Sequence, residues 1–325
     1  MIARNDRMII PIFVPHEGCP NDCAFCNQRT ISGKEKAPNI KEARRIIEEY
    51  LETGNADQIA FFGGSFTGID VKKQNEYLSL AEEYIKKGTV GSVRLSTRPD
   101  YIDGETVKRL ISYGVKNIEL GAQSMDDEVL LKSRRGHKAK DVEIAAEIIT
   151  KSEAVLGLQM MTGLPSDSEE KCLYTAKCFS KLGAKETRIY PTVVLRGTLL
   201  AKMYESGEYV PQTIEQAVEV SAKLYRYFKD NDMEILRIGL PDSQDLKENY
   251  IAGAYHPSLG EMVMSRDIRN RLEKEIEKSA DIYVNPRFIS KFNGNRKCNI
   301  EYFEKKGIKL NIIPDDKIEE YKICR

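Results

Sequence analysis

Cys19, Cys23 and Cys26 stand in the stretch Gly18-Cys-Pro-Asn-Asp-Cys-Ala-Phe-Cys-Asn27, directly after an apolar run that begins at Met8. The spacing C-x3-C-x2-C delivers three thiolates from one tight loop, one fewer than a closed tetrahedral metal site uses. An iron–sulfur cubane held by three cysteines leaves one iron open to a substrate or cofactor, which is the arrangement of a catalytic rather than a structural centre. The competing assignment is a Cys3His zinc site completed by His16, three residues before Cys19. A chance cluster of buried thiols does not fit, because a Pro/Asn/Asp loop has no apolar face to bury.

Further polar and glycine signals recur where short apolar runs end. They are Gly63-Gly64-Ser65, Ser96-Thr-Arg-Pro-Asp100, Glu119-Leu-Gly-Ala-Gln123-Ser124, Gln159-Met-Met-Thr-Gly163-Leu-Pro165 and Tyr190-Pro-Thr192. Singly, each is a turn or a structural ion pair. Together they require elements that bring five loop starts to one face. Strands are expected at 8–14, 58–63, 92–96, 117–121, 156–161, 186–190 and 234–238. Helices with apolar residues at 3.6-residue spacing are expected at 40–51, 73–86, 105–112, 141–152, 169–182 and 214–229. Asn39 caps the first helix, and Gly54, Gly88, Gly114 and Gly183 stop others. Such alternation means parallel strands joined by right-handed crossovers, with the site at the C-terminal strand ends in either an open sheet or a barrel.

The chain has 325 residues, enough for one large α/β domain or a large domain with a small one. Lys+Arg and Asp+Glu are both 50, so a nucleic-acid or membrane partner needs a local patch. No apolar run reaches 18 residues, and the N-terminal residues do not read as a signal peptide, so none is expected. Seven cysteines, three of them clustered, suit a reducing, cytoplasmic setting. Cys172, Cys178, Cys298 and Cys324 read as structural or incidental. The rhythm weakens near Pro241–Asp245, which divides the chain into 1–240 and a C-terminal region, 241–325. His256, before Pro257, reads as a turn cap.

The cysteine motif, with Phe25 before its last cysteine, resembles the signature of the radical S-adenosylmethionine (SAM) superfamily. The resemblance spans about residues 8–240 and implies an α/β fold, a partial (β/α)6 TIM-like barrel. It further implies a [4Fe–4S] cluster on Cys19, Cys23 and Cys26 whose fourth iron is chelated by SAM. Reductive cleavage of SAM to a 5′-deoxyadenosyl radical follows, with a reductant such as flavodoxin or ferredoxin. SAM contacts are implied for Gly63, Gly64, Ser65, Gln123 and Arg135, with Ser96 and Gln159 where some relatives carry acids. Gly163, in Gly-Leu-Pro, would shape the adenine pocket. Ser96–Tyr101, Glu119–Met125, Arg135-Gly-His137 and Ile189–Thr198 are similar to the catalytic subunit of Elongator, which modifies wobble uridines of tRNA. That subunit's cysteine spacing is wider, and no acetyltransferase domain like its own is expected in this chain. A tRNA base is therefore the expected substrate. The alternative is a small-molecule oxidoreductase like the oxygen-independent coproporphyrinogen oxidases. Tyr190, His137 and Arg196 are acid–base candidates by position.

Residues 281–325 are similar to the strand–helix–GxxG–helix–strand core of a KH domain. Gly294 fits the first glycine of its nucleic-acid clamp, and Lys297 occupies the second. Arg296 and Lys297 are the implied phosphate partners; a small docking unit is the alternative.

Overall fold

The computed structural model describes residues 8–14, 19, 23–26 and 37–324. His16 lies outside them. Seven parallel strands form one sheet in the order of the chain: β1 (Ile9–Val14), β2 (Ala56–Gly63), β3 (Val90–Thr97), β4 (Val115–Gln123), β5 (Val155–Thr162), β6 (Glu186–Pro191) and, beside β6, a seventh at Glu234–Ile238. Helices α1 (Ile40–Leu51), α2 (Val71–Lys86), α3 (Gly104–Ser112), α4 (Asp127–Lys132), α5 (Ala139–Thr150) and α6 (Glu169–Lys181) fill the crossovers. Between β6 and the seventh sheet strand lie the short β7 (Val193–Leu195), α7 (Leu199–Glu205) and α8 (Ile214–Asp230), so the seventh strand is β8.

Period-2 alternation explains why the sheet has one apolar and one polar face. Val93 and Leu95 of β3, Ile118 and Leu120 of β4, and Leu156 and Leu158 of β5 join the core beneath the helices. Their strand neighbours Arg94, Glu119, Gln159, Glu186 and Arg188 meet one another on the other face. β3 and β6 are three places apart in the sheet, about 14 Å if it were flat. Arg94 Nη2 nevertheless reaches Glu186 Oε1 at 3.0 Å. The sheet is therefore curled into an open barrel with the charged residues inside.

All six expected helices and all seven strands are present, with ends that match or shift by at most two residues. Asn39 caps α1 in a capping box with Glu42. The elements missed by periodicity are short: α4, α7, the antiparallel pair of β7 with β9 (Tyr250–Gly253), and α9 (Gln244–Asn249). Too few residues are present in them to complete a repeat. His256 Nδ1 accepts the Ser258 amide at 3.0 Å, capping a turn before α10 (Leu259–Glu275).

Helix α10 is shared between two cores. Leu259 and Val263 pack into the barrel core, whereas Ile268 and Leu272 belong to a second core with Ile282, Val284, Phe292 and Phe303. Arg226 of α8 clamps the Asp267 carboxylate of α10 with two nitrogens. The C-terminal unit then runs β10 (Ala280–Val284), α11 (Ile289–Asn293), α12 (Cys298–Lys305), β11 (Leu310–Pro314) and β12 (Tyr321–Cys324). β10 is central, parallel to β11 and antiparallel to β12. Among the described residues no helix is long and apolar enough to cross a membrane.

Candidate active site

The cysteine loop follows β1 at the C-terminal end of the barrel. The Cys26 amide donates to the Cys23 carbonyl at 2.9 Å, closing a tight turn. Two outside bonds pin it: the Ala24 amide to the Ser133 carbonyl, 2.9 Å, and the Leu200 amide to the Ala24 carbonyl, 2.7 Å. Cys23 is buried, and Cys19 and Cys26 are half-buried. Among the described residues no three His, Cys, Asp or Glu side chains converge as ligands of a single ion. Three thiolates of a cubane each hold a different iron, so they do not need to meet at one point.

The neighbouring strand ends supply the rest of the wall. Gly63 has φ +114°, and a Cβ there would stand 2.9 Å from the Val14 carbonyl oxygen, so only glycine lets β2 leave the sheet this close to β1. The Gly64 amide donates to that same carbonyl. Ser65 is fully buried, and its hydroxyl is taken up by Thr97 Oγ1 at 2.9 Å and the Arg98 amide at 3.2 Å. It therefore braces β2 against β3. Gln123 ends β4 with φ +67°, a conformation that costs a non-glycine residue about 1 kcal/mol or more and concentrates at functional sites. Arg135 directs Nη1 at Cys23 Sγ, 3.2 Å, and Nη2 at the Gly121 carbonyl, 2.6 Å. Arg98 holds the Arg135 carbonyl at 2.8 Å while pairing with both Asp100 oxygens at 2.9 Å.

Buried polar atoms here that lack a protein partner among the described residues include Arg98 Nη1, Gln123 Oε1 and His137 Nε2. Unmet buried donors and acceptors are costly and signal a missing ligand or water. Their position around the cysteine loop fits a polar cofactor such as SAM. Gly163 has φ +75°, with its amide held by Asp167 Oδ2 at 2.9 Å and its carbonyl by the Tyr209 hydroxyl at 2.6 Å. A cleft of about 480 Å3 opens beside this turn. Cys172 donates its thiol to the same Asp167 oxygen, a structural role as expected.

His137 is 5% exposed. Burial, followed by the nearby Arg135 charge, pushes its imidazole down to about 4. It is therefore neutral at pH 7. Its folded pKa lies below the unfolded value of about 6.5, so stability rises with pH across that window. Apoprotein taken from pH 7 to pH 4 should lose about 3 kcal/mol from this group alone. Urea unfolding of the wild type and of His137→Phe at both pH values measures it; parallel pH dependences would refute the assignment.

Deeper in the barrel, Glu119 receives Arg94 Nη1 at 2.9 Å, Arg188 Nε at 2.6 Å and Gln159 Nε2 at 3.0 Å. Gln159 also donates to Ser96 Oγ at 3.1 Å, so the two residues placed at acidic positions of relatives bond to each other. Glu186 takes Arg94 Nη2 and Asn117 Nδ2, and burial pushes its carboxyl up against the pull of Arg94. Tyr190 is half-buried, and burial raises its phenol. Arg196 is exposed in the turn after β7, with its amide on the Asn249 carbonyl. Arg94, Glu186 and Arg188 escaped the sequence reading. Their signal was a charge at alternate positions of central parallel strands, which otherwise read as apolar runs.

In the C-terminal unit Gly294 has φ +76°, and a Cβ there would meet Ser265 Oγ at 2.5 Å and Cys298 Sγ at 2.6 Å. Packing against α10 is thus what demands glycine. Arg296 and Lys297 are exposed with φ +51° and +61°, in the left-handed region that favours glycine. Asn299, 1% exposed, fixes the loop by donating to the Ser265 and Phe292 carbonyls at 2.9 and 2.8 Å.

Comparison with known proteins agrees with this geometry. The family model of the Radical SAM superfamily matches residues 13–178, and that of the Radical SAM C-terminal domain matches residues 184–274. A tRNA uridine(34) acetyltransferase of Methanocaldococcus jannaschii is 26% identical over 255 residues, 65% of this chain and 47% of that protein. An uncharacterized protein of the same organism is 32% identical over 207 residues, 59% of this chain and 63% of its own. The chain thus spans about half to under two thirds of these relatives. The structure of the archaeal Methanocaldococcus infernus Elp3 with an N-terminal deletion superimposes with TM-score 0.63 at 20% identity, covering 82% of this chain and 63% of that one. That likeness establishes the partial-barrel fold. With a matched segment covering half of its length and carrying the cysteine loop, the chain belongs to the radical SAM superfamily.

Proposed function

We propose that this chain binds a [4Fe–4S] cluster through Cys19, Cys23 and Cys26, binds SAM beside it, and modifies a base of tRNA. When bound, the cluster and SAM together supply one-electron reductive cleavage of SAM and, from it, hydrogen abstraction from substrate. The chain's own contribution is positioning. On this reading the Gly63-Gly64 backbone and the Gln123 side chain would contact SAM, Gly163 would line the same mouth, and Ser96 and Gln159, bonded to each other, would lie below it. Neutral His137 offers an imidazole nitrogen, and the curled sheet excludes water from the interior. The observation that carries the SAM assignment is the ring of unmet buried polar atoms on Arg98, Gln123 and His137 around the thiol loop.

The tRNA reading rests on the relative named for uridine-34 chemistry and on the exposed Arg296–Lys297 loop. On this reading residues 241–325, including the unit 281–325, form a region that contacts RNA. Reduced protein with SAM should form 5′-deoxyadenosine faster with total tRNA than without it. Binding to tRNA should weaken linearly in log–log with salt, and Arg296→Ala/Lys297→Ala should reduce the slope by about 2. Absence of tRNA binding at low salt, with 5′-deoxyadenosine formation unmoved, would leave the small-molecule alternative.

A further inference from the structure

We propose that Arg135 acts on the cluster rather than on SAM, setting the cluster's electron affinity by donating a charge-assisted hydrogen bond to the Cys23 sulfur. The inference rests on the cluster assignment above and changes the role implied for Arg135 by family resemblance.

Three observations carry it. First, Nη1 lies 3.2 Å from Cys23 Sγ, within reach of an N–H···S bond. Second, the two terminal nitrogens serve different acceptors, because Nη2 is held by the Gly121 carbonyl at 2.6 Å. The fork that clamps a carboxylate bidentately is thereby split. Third, the turn that carries the donor also holds the cysteine loop. The Ser133 carbonyl holds the Ala24 amide next to Cys23, the Arg135 amide bonds to the Leu130 carbonyl at 3.0 Å, and Arg98 braces the Arg135 carbonyl. The side chain is 7% exposed, with Phe25 flanking the guanidinium 5.9 Å from its ring centre. This is a fixed guanidinium beside the Cys23 sulfur.

The electrostatics give the sign. An electron added to a cluster increases the negative charge spread over its sulfur ligands. A buried guanidinium donor stabilises that charge more than it stabilises the oxidised cluster, so the reduction potential rises. The only chemical event is uptake of one electron, supplied by the reductant; no bond is made or broken. Arg98 adds a second positive charge near Cys19 and Cys23.

The test is an EPR-monitored redox titration of reconstituted protein without SAM, against dithionite and mediator dyes, with SAM affinity measured on the same samples. Arg135→Gln should move the potential to more negative values by at least about 59 mV, a tenfold change in the reduced-to-oxidised ratio for one electron. SAM affinity should be preserved. An unchanged potential with weakened SAM binding would overturn the proposal and restore the cofactor-contact role. Should Arg135→Gln not retain iron, Arg135→Lys carries the test. One ammonium cannot serve the Gly121 carbonyl and the Cys23 sulfur with the geometry of a guanidinium, so its potential should also fall. A wild-type potential in that variant overturns the idea. Wild-type protein that binds no iron would instead sink the cluster assignment on which the inference stands.

Discussion

Cys23→Ala is expected to abolish iron and sulfide binding after anaerobic reconstitution and to reduce SAM cleavage to background. Of the three loop cysteines Cys23 is the buried one, and its sulfur already has a guanidinium donor in place. Losing one of three thiolates leaves two from the same loop, too few to hold a cubane with one open iron. The apoprotein should tolerate the change, because removing one sulfur atom from a small buried side chain costs about 1 kcal/mol. Urea unfolding of the apoprotein therefore separates loss of the cluster from loss of the fold. A folded Cys23→Ala protein with full iron content and SAM cleavage would falsify the ligand assignment.

The second large effect is on stability. Glu119 is 1% exposed and is the carboxylate between the guanidiniums of Arg94 and Arg188. Breaking a buried pair by removing one partner leaves an uncompensated charge, at a cost of about 3–5 kcal/mol. Glu119→Gln should lose that amount in urea unfolding with little change in m-value. Burial pushes the Glu119 carboxyl up, but Arg188 and Arg94 outweigh it and hold it below its usual range. A depressed folded pKa contributes stability above the unfolded value of about 4.3 and loses it as pH falls through the folded value. The difference between wild type and Glu119→Gln should therefore shrink in acid. Replacing Arg188 as well should return part of the loss, since the orphaned cation is removed with it. A single-variant cost under about 1 kcal/mol would show that water or relaxation compensates the pair.

These two predictions draw on different kinds of information. The Cys19, Cys23 and Cys26 spacing is a local property of eight consecutive residues, so its chemistry could be argued without any tertiary contact. The ion-pair layer could not. Arg94 and Glu186 are 92 positions apart, and each alone is an unremarkable charge in a strand. Their meeting depends on the curl of the sheet. Arg135 shows the same limit more sharply. Its position in Arg135-Gly-His137 suggested a SAM contact, yet its guanidinium faces a sulfur 112 residues earlier in the chain. Ser65 likewise has its hydroxyl committed to β3, a partner the Gly-Gly-Ser turn does not reveal.

Division of the chain was also only partly legible. The change of rhythm after Pro241 is real, because α9, β9 and α10 do not repeat the strand–helix unit. α10 nevertheless gives one end to each core, and a heptad-scale pattern cannot say which neighbour a helix face will meet. The strand β12 was missed because four residues with two charged or polar positions carry little period-2 signal.

By itself the sequence determined the order of strands and helices, the parallel sheet and the thiol loop at its C-terminal edge. Each of these follows from hydrophobic period, glycine and cap placement, or ligand spacing within a few residues. Only the tertiary structure decided which buried charges neutralise one another, that Arg135 addresses the Cys23 sulfur, and that Arg98, Gln123 and His137 keep polar atoms open toward the site. Those outcomes depend on the curvature of the sheet and the direction of side chains separated by dozens of residues, and no local pattern encodes them.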